Sequence, residues 1–184
     1  MTTLSILLLV LLFLPFAYLL AMALASIRPA RALDWENRPA ATRFAIAIPA
    51  HNEDTVIAST VQRLLALNYP PEHFTVHIVA DHCSDQTATL ARQAGAVVHE
   101  RNLGPRSGKG AALTWLFERI LQDPDVDAVI IFDADTRVDA DFLRVMDVCL
   151  AGGAQVVQGQ HRISNPHQGW FPALTWAMFL VDNR

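Results

Sequence analysis

Three short apolar runs, each breaking directly into polar and acidic residues, constrain the fold of this chain more than any other feature. They are "RFAIAIPAHNED", "FTVHIVADHCSD" and "DAVIIFDADT". Between them lie stretches with helical spacing. "TVIASTVQRLLALN" repeats apolar residues at Ile57, Val61, Leu64 and Leu65, and "SDQTATLARQAG" reads as a helix stopped by Gly95. "AVVHER" reads as a further short strand, and "AALTWLFERILQ" places Leu113, Leu116, Phe117, Ile120 and Leu121 on one stripe. In "DADFLRVMDVCL" Asp139 can cap a helix, with Val138 and Leu143 as a hydrophobic staple. "AQVVQGQHRI" predicts another strand, and the tail "GWFPALTWAMFLV" a core or interfacial helix. Strands alternating with helices imply an α/β fold with a largely parallel sheet covered on both faces. In such sheets ligands bind beyond the carboxyl ends of the strands, where all three polar clusters fall.

The N-terminus follows a different pattern. No charged residue occurs from Leu4 to Ile27. As a helix this stretch would measure about 36 Å, enough to cross a hydrocarbon core of about 30 Å. Pro15 would kink it, which membrane helices tolerate. Small residues at Ala21, Ala23 and Ala25 resemble a signal-peptide cleavage pattern. However, no Lys or Arg precedes the run, and it is too long for an ordinary signal core. The expected organisation is a retained transmembrane helix over 4–27, a Pro/Ala/Arg-rich linker over 28–43 and one domain over 44–184. Arg28, Arg31, Arg38 and Arg43 all follow the span, which places the domain in the cytoplasm by the positive-inside rule.

The whole chain has 184 residues and a formal net charge of -4. This mildly acidic balance, without a basic patch, argues against nucleic acid as a partner. Cys83 and Cys149 form no CxxC pair, which indicates neither a disulfide framework nor a zinc site.

The strand-end clusters bring Asn52, Glu53, Asp81, Asp85, Asp133 and Asp135 toward one acidic crevice. Asp133 and Asp135 are two apart. On an extended strand they would share a face at about 5 Å and repel by roughly 3 kcal/mol at an effective dielectric near 20. An oxygen-only site suits a hard divalent cation, Mg²⁺ or Mn²⁺, which commonly serves a phosphate ligand and would relieve that repulsion. "NLGPRSGKGAAL" supplies counter-charge in Arg106 and Lys109 near a helix N-terminus. It is not a P-loop, since Gly104 to Gly108 is one residue short and Gly110 stands where Ser or Thr should follow Lys109. "IIFDADTRV" also resembles the nucleophile motif of haloacid-dehalogenase-type phosphatases. In that family the motif should open the domain, whereas here two strand–helix units precede Asp133 and no Lys follows it.

Taken together and in order, "IPAHNED", "VADHCSD", "GKGAAL" and "FDAD" resemble the family 2 glycosyltransferases. The resemblance covers roughly Arg43 to the C-terminus. It implies a Rossmann-like GT-A nucleotide-binding sheet with helices on both faces, acting on a nucleotide-diphosphate sugar, UDP-sugars foremost. Carried over by resemblance, Pro49, Ala50 and Glu53 lie along the nucleoside, Asp81 meets the base or ribose, and Lys109 meets the diphosphate. Asp133 and Asp135 form the D-x-D pair, with Asp135 the direct metal ligand. The implied reaction is displacement at the anomeric carbon with inversion.

The family also carries an acceptor-side carboxylate base well after the D-x-D strand, and its processive members a Q-x-x-R-W motif. Neither is found here, and Asp182 is a weak substitute, so the catalytic base is unassigned. The expectation is a donor-binding part lacking its acceptor half, to be completed by further chain or by a second polypeptide. The alternative is a non-catalytic nucleotide-sugar-binding subunit.

Overall fold

The computed structural model describes residues 3–25, 35, 38–160 and 169–170. The chain divides into two compact units, Leu33–Val157 and Met1–Ala32 with Gln158–Arg184. The larger unit carries the sheet. Its elements are β1 (Phe44–Ala50), α2 (Ile57–Leu65), a 3₁₀ turn (Pro71–His73), β2 (Phe74–Asp81), α3 (Thr87–Gln93), β3 (Val97–Arg101), α4 (Lys109–Ile120), β4 (Ala128–Ile131) and α5 (Phe142–Ala151). The four strands are parallel, in the order β3-β2-β1-β4. The order reverses between β1 and β4, which opens a crevice at their carboxyl ends.

Alternation along β1 explains why helices cover both faces. Phe44, Ile46 and Ile48 join Val76 and Ile78 of β2 in a core closed by Ile57, Val61 and Leu64 of α2, Ala91 of α3 and Leu143 and Met146 of α5. Ala45 and Ala47 point the other way, with Val79, onto Ala112, Leu116 and Ile120 of α4. The helical stripes are narrower than the spacing alone suggests, since Leu65 and Leu121 are exposed. Gly95 ends α3 at φ +105°, and Ala96 N–H donates to the Ala91 carbonyl at 3.1 Å, a Schellman closure. Val138 and Leu143 both join the first core, as a staple requires. Asp139 lies two residues before the observed N-cap, Asp141, and accepts from the Asp141 N–H at 3.1 Å.

Two sequence expectations change here. The strand expected at 154–163 is not formed in its described part, 154–160. Gly153 turns the chain at φ +93°, and Val156 is left 91% exposed, so no neighbour draws the segment into a ladder. β4 consequently forms one edge of the described sheet, with Ile131 exposed. The helix expected in the tail lies almost wholly outside the described residues.

The smaller unit contributes α1 (Thr3–Ala25), continuous through Pro15. Among the described residues no helix is long and apolar enough to cross a membrane. Side chains along α1 are described continuously only over 10–22, about 20 Å of helix against a hydrocarbon core of about 30 Å. The transmembrane span expected over 4–27 is therefore not carried by the structure and rests on the sequence alone.

Candidate functional site

A cleft of about 340 Å³ opens at the crevice between the carboxyl ends of β1 and β4. It gathers Pro49, Ala50, Glu53, Asp81, Lys109, Asp133 and Asp135, the donor and metal residues that the family resemblance implies. Arg106 also lines it, together with His51, Gly108, Ala112 and Ala134, four that sequence reasoning did not single out.

Two loops shape one wall of the cleft. β1 passes into α2 through Asn52 at φ +57°, and β2 leaves its last residue into His82 at φ +52°. Left-handed backbone is uncommon outside glycine, least so for Asn, and tends to mark sites where the surroundings over-determine it. Here side chains lock the two loops together. Asn52 Oδ1 accepts from Ser84 N–H at 2.8 Å. Asp85 accepts from the Thr87 N–H at 3.0 Å, the Thr87 hydroxyl at 2.6 Å and the Asp54 N–H at 3.2 Å. Thr87 Oγ1 in turn accepts from Glu53 N–H at 2.8 Å. Burial raises the Asp85 pKa, but these hydrogen bonds outweigh it and hold the carboxyl below the usual carboxylate range.

Asn52 and Asp85 are thus consumed in tying loops and do not line the cleft. The acidic crevice expected from sequence is smaller by these two. Asp85 stands two residues before Thr87 at the start of a helical run, a position typical of helix-start carboxylates, and that signal could have removed it.

Asp81 is 4% exposed. Burial raises its pKa, yet hydrogen bonds from His82 and Arg101 and the Arg101 charge win, so it is lowered. Arg101 Nη1 donates to Asp81 Oδ1 at 2.5 Å, and His82 Nδ1 meets the same oxygen at 2.9 Å. His51 Nδ1 lies 2.7 Å from the Asp81 carbonyl. A carbonyl only accepts, so Nδ1 carries the proton and Nε2 of a neutral ring remains an acceptor.

The opposite wall starts at Gly108, whose φ of +86° turns the chain into α4 and sets Lys109 in the first helical turn. Lys109 Nζ makes an ion pair with Asp133. This revises the geometry expected for the D-x-D pair. β4 stops at Ile131, and Asp133 and Asp135 sit on the turn that follows rather than on a strand face. Asp133 N–H donates to Thr136 Oγ1 and Thr136 N–H to the Asp133 carbonyl, both at 3.0 Å. The buried Thr60 hydroxyl of α2 donates to the Ala134 carbonyl at 2.7 Å, anchoring the turn. Both carboxylates are exposed, and Lys109 already offsets one of them. Among the described residues no three His, Cys, Asp or Glu side chains gather as a metal site. Two exposed carboxylate groups on this turn fit a hard cation that brings phosphate and water as its remaining ligands.

A parallel sheet with its cleft at the switch point, one acidic wall and one basic wall, defines a Rossmann-like α/β class. The family profile described as "Glycosyltransferase like family 2" matches residues 39–182, and the chain belongs to that family. It is 33% identical over 138 residues to a beta-monoglucosyldiacylglycerol synthase of Synechocystis, covering 67% of this chain and 28% of that protein. It is 26% identical over 140 residues to the probable glycosyltransferase YdaM of Bacillus subtilis, covering 71% and 32%. The chain thus spans under a third of the length of these two relatives. In fold it is similar to a mannosyltransferase of Pyrobaculum calidifontis solved with GDP-Man and Mn²⁺. The TM-score is 0.61 at 21% identity, over 84% of this chain and 44% of that one. The chain is therefore a glycosyltransferase by family, with a GT-A fold.

Proposed function

We propose that this chain forms the donor-binding part of a membrane-anchored glycosyltransferase. It takes a nucleotide-diphosphate sugar, UDP-sugars foremost, together with Mg²⁺ or Mn²⁺, and transfers the sugar with inversion. One observation carries the reading: a single cleft at the sheet's switch point gathers Asp81, Lys109, Asp133 and Asp135. Asp81 receives the nucleoside, in company with Pro49, Ala50 and Glu53. Lys109 and Arg106 hold the diphosphate at the N-terminal end of α4, where backbone N–H groups add to their charge. Asp135, with Asp133, holds the cation, which when bound offsets negative charge on the departing diphosphate. That solved relatives of the same fold hold Mn²⁺ with a nucleotide sugar supports the cation.

Among the described residues, the acids after Asp135 are engaged away from the cleft. Asp139 accepts from the Asp141 N–H, Asp141 from Asn68, and Asp147 is buried against Thr42. The base that takes the acceptor proton is therefore assigned to residues outside those described. Anchoring is supported by the charge-free sequence of α1 and by its large apolar side chains, such as Leu11, Phe13, Phe16, Leu19 and Met22, which are more than half exposed. That a relative is named for a glucosylated diacylglycerol supports a site of action at a membrane.

Calorimetry of UDP binding with Mn²⁺ and with a chelator tests the donor site. Binding should tighten with Mn²⁺, and Asp135→Ala should remove most of that gain while leaving the fold intact, since this exposed carboxylate lies on a turn. Equal UDP affinity with and without chelator would overturn the cation assignment, and no UDP binding at all would overturn the donor site.

A further inference from the structure

The residues that hold Asp81 continue past it. Asp81 and Arg101 are register partners at the ends of β2 and β3. Arg101 reaches Asp81 with Nη1, and its Nη2 donates to the Pro105 carbonyl at 3.4 Å. His82 behaves alike: Nδ1 meets Asp81, while Nε2 lies 2.8 Å from the Gly104 carbonyl. The His82 N–H donates to the Arg101 carbonyl at 2.9 Å, closing the pair. These side chains are 12% and 23% exposed, and neither lines the cleft. Two arms therefore run from one buried carboxylate to two successive carbonyls of the loop that delivers Arg106, Gly108 and Lys109. His82 adopts φ +52° in this arrangement, backbone that a non-glycine residue keeps only when its contacts hold it there.

We infer that His82 and Arg101 are positioning residues that fasten the 102–108 loop to Asp81, so that the nucleoside end and the diphosphate end of the cleft are set together. The inference rests on the donor-site reading above. It goes beyond that reading by giving two residues outside the cleft control over phosphate affinity. A ligand bearing only phosphates should then be sensitive to a network that it does not touch.

Inorganic diphosphate is the discriminating probe, because it lacks a nucleoside to reach Asp81. The full chain, held in detergent micelles, is titrated calorimetrically with UDP and with inorganic diphosphate, each with Mn²⁺. His82→Gly is the first variant, since glycine adopts φ +52° without steric cost and the turn is spared while the ring arm is lost. Arg101→Lys is the second, keeping a cation on Asp81 and losing the fork that reaches Pro105. A lost hydrogen bond to a charged group corresponds to about a tenfold change or more. We expect His82→Gly to weaken both UDP and diphosphate about tenfold with unchanged binding stoichiometry, and Arg101→Lys to weaken both by a smaller factor.

Diphosphate affinity within twofold of wild type in both variants would overturn the inference, even if UDP weakened. So would a fall in stoichiometry with unchanged affinity, which marks a folding role alone. Failure of the unaltered chain to bind UDP would overturn the donor site itself and this inference with it. Normal wild-type binding beside normal variants would overturn only the inference.

Discussion

Replacing Lys109 with Met should move two affinities in opposite directions. Lys109 is paired with Asp133, and the two side chains are 52% and 60% exposed. A unit-charge pair at about 3 Å would be worth roughly 5 kcal/mol at an effective dielectric of 20. Exposure of both partners reduces this sharply, and exposed ion pairs contribute about 0.2–1 kcal/mol. Freeing Asp133 should therefore tighten binding of Mn²⁺ alone only modestly, up to about fivefold. The nucleotide responds in the opposite sense. With diphosphate present, Lys109 exchanges its carboxylate partner for phosphate oxygens, and losing that charged hydrogen bond costs about 1.5–3 kcal/mol, or about 10- to 100-fold. Met keeps a flexible apolar stem and comparable helix propensity, so α4 is spared. Mn²⁺ binding is read by electron paramagnetic resonance of the free ion, and UDP·Mn²⁺ binding by calorimetry, at one fixed ionic strength because exposed pairs are screened by salt. If both affinities fall, Lys109 does not exchange between Asp133 and phosphate. If neither moves, it is not part of the site.

Three further outcomes follow from the same structure. His77 and His99 stack across β2 and β3, with Nδ1 and Nε2 3.2 Å apart. Burial and then His99 push the His77 pKa down to about 4, and burial and then Arg119 lower His99, so the unfolded chain takes up protons first as pH falls. Urea unfolding should show about 1–2 kcal/mol lost between pH 6.5 and 4, after discounting for partial exposure, and a flatter slope in His77→Gln. Asp147 is 2% exposed and accepts from the Thr42 hydroxyl, the Thr42 N–H at 3.0 Å and the Ala41 N–H at 3.4 Å. Asp147→Ala should cost about 2–4 kcal/mol in the same assay, because it strands these donors. For the anchor, a C-terminal reporter should be active on the cytoplasmic side, with residues 4–27 retained in the mature chain. Activity only on the opposite side, or a mature N-terminus near Ser26, would refute the topology.

The strands were legible because burial on both faces writes them as near-continuous apolar runs: "RFAIAIPA" holds β1, which starts one residue later at Phe44, and "FTVHIVAD" matches β2. β4 was over-extended for the same reason. Phe132 is buried like a strand residue, yet Thr136 closes a turn on Asp133 immediately beyond it. The acidic clusters were legible as a place but not as a set, because hydrogen bonding between loops, which spacing does not reveal, withdrew Asn52 and Asp85. Arg101 and His82 were missed for a deeper reason. Their roles depend on the β2–β3 register, which puts Arg101 opposite Asp81, and on a left-handed residue whose backbone no local pattern announces. Opposite charges ending two adjacent strands, "VAD" and "HER", were the available hint.

How Lys109 comes to stand over the crevice is settled in the core. The face of β1 toward α2, α3 and α5 carries Phe44, Ile46 and Ile48, whereas the face toward α4 carries Ala45, Ala47 and Pro49. α4 answers with Ala112, 1% exposed, in its first turns and turns to Leu116 and Ile120 only further along. Interiors pack without voids, and the alanines on both elements leave little side-chain bulk between α4 and β1. Ala112 accordingly lines the cleft itself, one helical turn behind Lys109. Alanines behind the cleft thus contribute to the separation between the basic wall and the acidic turn after β4. Under the donor-site proposal that is the dimension a diphosphate would match, and it is written into the alternation of "FAIAI".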